Sequence, residues 1–179
     1  MLRYRRKTAD YDEQKGQAMK QRLYGIKVLA TILAMLAVSG AANAGKLEPF
    51  KGTSRGVVTN VGFDAANGIA YAHGSGEGEA THLGRFTTTG DVSIDLAAGI
   101  VLGTYTLTAA NGDMLFLTMR GHGISPVQGS GSFIILGGTG RFQGATGYYE
   151  QIITFASPPG PTVMSYFDVF EGAISFGSH

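Results

Sequence analysis

The 179-residue chain has the length of one domain, and its formal net charge of +1 conceals two unlike parts. Residues 1–44 carry eight Lys/Arg against three Asp/Glu, while residues 45–179 carry six against ten, a net of about −4, which leaves no basic surface for a nucleic acid. Cysteine is absent, so disulfide staples, zinc–thiolate sites and thiol nucleophiles are excluded.

The first element is a leader. Residues 19–27 are basic, residues 28–38 form an eleven-residue apolar run, and Ala42-Asn43-Ala44 supplies the small residues of a cleavage site. The run is shorter than the ~20 residues of an ordinary membrane span. The expectation is cleavage after Ala44, export to the periplasm or the extracellular space, and no membrane attachment afterwards. An uncleaved anchor is the alternative. Residues 1–18 are polar and charged and precede an ordinary signal, so Met19 is read as the true start.

After Ala44 the chain holds 25 of the 28 glycines. No window there has the 3.6-residue apolar period of a helix; short alternating runs are cut by Gly, Asn-Gly and Pro. Residues 55–63 read as a first strand. Asn67-Gly68 marks a turn, and a second strand begins at 69–73. Residues 79–88 and 91–96 follow as strands. Residues 104–109 alternate and meet Asn111-Gly112, taken as a two-residue hairpin turn, before residues 113–120 return. That register sets Leu107 opposite Phe116 and Ala109 opposite Met114. Residues 132–136 and 147–156 are further strands, and the Pro-rich stretch 157–161 is a loop because proline cannot donate to a ladder. Residues 162–176 form a long last strand.

These elements define an all-β domain over residues 45–179. About eight strands is the number at which a sheet closes into a barrel holding side chains or one small ligand, so an eight-stranded antiparallel β-barrel is expected. A two-sheet β-sandwich is the runner-up.

Leu136-Gly137-Gly138-Thr139-Gly140-Arg141-Phe142-Gln143-Gly144-Ala145-Thr146-Gly147-Tyr148 resembles the conserved turn of the allene oxide cyclase and dirigent superfamily. Tyr166-Phe167-Asp168-Val169-Phe170-Glu171-Gly172 is similar to that superfamily's closing strand. Residues 79–87 look like a string in uncharacterised bacterial secreted proteins of the same barrel type. The resemblance spans roughly residues 50–176. It implies an eight-stranded barrel with an apolar cavity, often trimeric, hence a homo-oligomer. In the plant relatives the cavity cyclises a fatty-acid epoxide or steers phenoxy-radical coupling. No catalytic residue of theirs maps onto this chain by motif.

The glycine-rich turn at 137–147 lacks Gly-Lys-Ser/Thr and a following helix, and Gly74-Ser75-Gly76-Glu77-Gly78 lacks a nucleotide fingerprint, so no cofactor is expected. His73, Glu77 and Glu79 share strand parity but His82 does not, so no metal site is expected. Arg85 and Arg141 each stand in Gly-Arg-Phe. Each is either a carboxylate or phosphate clamp or a structural partner of barrel-end carboxylates and carbonyls, and Tyr166 is a further ligand-binding candidate. Asp168 shares parity with Met164, Tyr166 and Phe170. If that face is interior, its pKa rises as in a general acid or base, and Glu150, with Tyr148, is the candidate to meet it across the ladder. Three functions stay open: a module binding a small apolar ligand, an isomerase or cyclase-like enzyme on a lipid or phenolic substrate, and a structural or interaction protein without a small ligand.

Overall fold

The computed structural model describes residues 45–156 and 163–177. The leader and the Pro-rich loop read from the sequence lie outside the described residues. Eight antiparallel strands form a closed barrel in sequence order: β1 (Glu48–Asp64), β2 (Ile69–Ala80), β3 (Gly84–Asp95), β4 (Ile100–Ala109), β5 (Met114–Ser125), β6 (Gln128–Gly138), β7 (Thr146–Phe155) and β8 (Val163–Ser175). Closure is made by β1 pairing with β8, from Glu48 opposite Ile174 to Thr59 opposite Val163. That pairing rules out the sandwich, which would leave free edges.

Two strand boundaries differ from the sequence expectation. The run 79–88 is broken at Thr81–Leu83, where His82 adopts φ 61° and the chain turns from β2 into β3. No glycine or proline interrupts the run before Gly84, which hides the turn from a reading based on turn residues. Thr81 fixes it: the Lys51 N–H donates to the Thr81 hydroxyl at 3.0 Å, and the Thr81 N–H donates to the Lys51 carbonyl at 2.9 Å. Conversely, residues 84–95 run as one strand through Gly90.

The hairpin register also differs by one residue. The Ala109 N–H donates to the Asp113 carbonyl at 2.8 Å, so the loop is Ala110-Asn111-Gly112, three residues rather than two, with Gly112 at φ 88°. Leu107 therefore faces Leu115 and Thr106 faces Phe116. A one-residue slip moves every side chain to the other face of its strand. Here it sends Leu107, Leu115 and Leu117 inward and leaves Phe116 outside.

The lumen is filled by rings. Phe133 stacks on Tyr149 with centroids 4.5 Å apart, and Tyr149 lies 4.7 Å from Phe170 and 5.7 Å from Phe50. Eight strands enclose too little space for bulky residues at every inward position, so rings face glycines. A Cβ on Gly78 would lie 2.6 Å from the Phe86 ring tip, and one on Gly52 2.7 Å from that of Phe170. One end of the barrel is sealed by Leu83, Phe142, Ala145 and Ile174, all at 2% exposure or less. The glycine-rich turn supplies Phe142 from a single 3-10 turn, Gly140–Phe142. Gly140 is at φ 54° and any Cβ there would strike Asp113.

Gly78→Ala should destabilise the fold by about 1–3 kcal/mol through overpacking. Gly123→Ala, with open space around its added Cβ, should stay within about 0.5 kcal/mol of the parent. Urea unfolding of both variants checks the pair.

Candidate functional site

Period-2 alternation on β8 sends Met164, Tyr166, Asp168 and Phe170 into the barrel and Val163, Phe167 and Val169 out. Asp168 is 1% exposed, the one buried carboxylate among the described residues. It is held by its partner across the β1–β8 ladder: the Ser54 N–H donates to Oδ1 at 3.1 Å and the Ser54 hydroxyl bonds Oδ2 at 2.6 Å. The Gln151 side chain from β7 donates to the same carboxyl. Desolvation pushes the Asp168 pKa up to about 6, against the opposing pull of the Ser54 and Gln151 hydrogen bonds.

Three phenols surround the acid. Burial raises the pKa values of Tyr105, Tyr149 and Tyr166, and the charge of Asp168 adds to each. Acid and phenols line an interior cavity of about 30 Å³, walled otherwise by Thr88, Leu107, Phe133 and the bare backbone of Gly74. Val58 and Ile153, half-buried, form its edge. The space suits a water molecule or one polar group. A carboxyl that titrates near pH 6 beside such a space is able to donate or accept a proton there.

The residues singled out from the sequence separate into three places. Asp168 and Tyr166 meet inside. Glu150 and Tyr148 do not join them: both lie on the outer face of β7, Tyr148 is 54% exposed, and Glu150 accepts from the Ser132 hydroxyl at 2.8 Å. The parity that pairs Glu150 with Tyr148 holds, but it is the opposite parity to that of Asp168. Across the β7–β8 ladder Glu150 stands opposite Glu171, and Asp168 stands opposite Ile153. The interior neighbours are instead Tyr149 and Gln151, one residue along, together with Ser54, Tyr105 and Thr88. Ser54 could have been found only by knowing that β1 closes on β8.

Arg141 sits at the sealed end. Its Nη2 donates to the Leu83 carbonyl at 3.1 Å, its Nε lies 3.7 Å from Asp113, and its guanidinium covers the Phe142 ring. Arg85 is exposed on the outer wall, whereas Tyr166 is buried and points inward. His73 pairs with Asp91 at 2.8 Å, Glu77 with Arg55 at 2.7 Å, and His82 lies 3.4 Å from Glu48.

With this geometry in hand, the chain is similar in fold to two solved structures. The pterocarpan synthase dirigent protein GePTS1 is 14% identical with a TM-score of 0.52, over 78% of this chain and 91% of that one. The pterocarpan synthase dirigent protein PsPTS1 is 13% identical with a TM-score of 0.54, over 77% of this chain and all of that one. No protein-family model matches the chain, and no curated protein matches it. The shared feature is the fold, a closed eight-stranded antiparallel barrel like that of these dirigent proteins.

A folded pKa near 6 against an ordinary value of 3.8 gives a definite sign. The fold favours the protonated acid, so its contribution to stability is fully present below about pH 4 and is lost as pH rises through 6. Relative to Asp168→Asn, the native protein should lose on the order of 3 kcal/mol between pH 4 and pH 7. Paired denaturant titrations across that range check it.

Proposed function

We propose that this chain is an exported barrel that binds a small, largely apolar molecule, whose one polar group meets Asp168. The observation that carries the reading is a carboxyl held almost wholly out of water, facing a cavity lined by aromatic rings. Burying an acid costs stability unless something repays it, and a ligand's hydrogen bond is such a return. The cavity takes a polar group rather than a whole molecule, so entry of a ring requires the Tyr105 and Tyr166 side chains to turn aside.

Two observations favour other readings. The raised pKa of Asp168 suits a general acid, which supports an isomerase or cyclase-like activity on a lipid or phenolic substrate; the two similar proteins are named as synthases. The small interior space supports a structural or interaction role with no small ligand.

Assembly into a homo-oligomer, a trimer by the resemblance, is part of the proposal. Phe116, Ile134, Leu136 and Tyr148 are exposed on the outer wall of β5–β7, with Ile134 directly opposite Tyr148. A contiguous exposed apolar patch of this kind marks an interface.

Native mass spectrometry of the protein from its host's exported fraction tests these points together. The expected species begins at Gly45, is oligomeric, and retains a small molecule whose affinity falls about tenfold or more in Asp168→Asn. An empty species moves the reading to the interaction role, and a mass that still holds the leader overturns export. Leu136→Glu should convert the oligomer to monomer in light scattering, and an unchanged mass refutes the assembly face.

A further inference from the structure

The outer wall over β1–β4 carries an arrangement that the interior site does not use. The strand registers align Phe167, Arg55, Glu77, Thr87 and Thr108 in one row across five strands. A second row beside it aligns Thr53, Glu79 and Arg85. Together they line a depression of about 800 Å³. Short residues, Thr53, Thr87, Thr108, Ala109 and Ala110, line it together with the longer Arg and Glu chains.

The charges differ in state between the rows. Arg55 is closed onto Glu77, with Nε at 3.1 Å and Nη2 at 2.7 Å from the same carboxylate oxygen. Arg85 and Glu79, direct partners across β2–β3, make no hydrogen bond or ion pair among the described residues. An open guanidinium and an open carboxylate therefore stand side by side, one offering several donors and the other several acceptors. At the far end of the first row the Phe167 ring is 52% exposed.

We propose that this depression binds a neutral oligosaccharide. Two arginines and two glutamates balance, so no net charge selects a polyanion or a polycation. The lining mixes the hydroxyls of Thr53, Thr87 and Thr108 with apolar surface from Ala109, Ala110 and Phe167, which suits a ligand that is itself hydroxylated on its edges and apolar on its faces. A closed barrel has no free edge to which a peptide strand could add, so recognition here falls to side chains alone. Planar guanidinium and carboxylate groups match paired sugar hydroxyls, and the Phe167 face takes the apolar face of a sugar ring. Strands lie about 4.8 Å apart, so the three intervals from β8 to β3 span roughly 14 Å, the reach of a short oligosaccharide. The side chains invoked here, Arg55, Glu77, Glu79, Arg85 and Phe167, are not those invoked for the interior, although Ser54 and Phe86 line both spaces.

The test uses the intact oligomer against an array of neutral oligosaccharides of about two to six residues, followed by saturation-transfer NMR with the best of them. Binding is expected, with the affinity falling about tenfold or more in both Phe167→Ala and Glu79→Gln. Both positions are exposed, so neither change threatens folding. Asp168→Asn should leave sugar affinity unchanged while altering any retained small molecule, which separates failure of this site from failure of the interior reading. No array signal at millimolar sugar overturns the proposal, and so does binding indifferent to both variants.

Discussion

The pairing of β1 with β8 is the constraint on which the rest depends. It closes the sheet, and closure fixes how much can go inside. The large inward residues gather into one ring cluster around Tyr149, and the strands facing them yield with glycine. The glycine content that dominates the composition is thus mainly a packing device of the inner wall. Only some of the glycines serve the turns, where positive φ demands them. The same pairing brings Ser54 to Asp168, so the closing seam and the buried acid are one feature. Loss of the seam would leave a carboxyl buried without its principal donor, which costs more than a neutral orphan.

Much of the fold was legible because barrel strands repeat with period two and turn residues punctuate them. The count of about eight strands, the late glycine-rich turn and the shared parity of Met164, Tyr166, Asp168 and Phe170 on β8 all follow from local pattern, while which face of β8 looks inward does not. What escaped was non-local or of marginal length. The turn at His82 carries no glycine until Gly84, so no turn residue announces it where the chain first bends. Asn111-Gly112 does lie in the turn, but the loop's extra residue reverses the faces of β5 relative to β4. For the site, the parity of Asp168 was readable on its own strand. Its partners were not, because Ser54 and Gln151 reach it from strands whose registers only the closed sheet determines. Glu150 illustrates the limit. Parity within β7 said which residues accompany it, and nothing in β7 said which face looks inward.

The two walls of the barrel obey different rules, and that division makes room for two functions on one short chain. Inside, volume is scarce and every polar group must find a partner; among the described residues no buried side-chain nitrogen or oxygen lacks one. Asp168 is tolerated there at the cost of a raised pKa, so its proton is held in a range where mild acidity changes its state. Outside, volume is free and charge is cheap, so polar residues accumulate over β2–β4 while apolar ones collect over β5–β7. Successive side chains along a strand point to opposite walls, although Ser54 and Phe86 line both the interior cavity and the outer depression. Tyr148 and Tyr149, or Phe167 and Asp168, are adjacent in the chain yet serve separate surfaces. Substitutions should accordingly act independently only where the two spaces share no residue; at Ser54 and Phe86, which line both, an effect on one site should carry into the other.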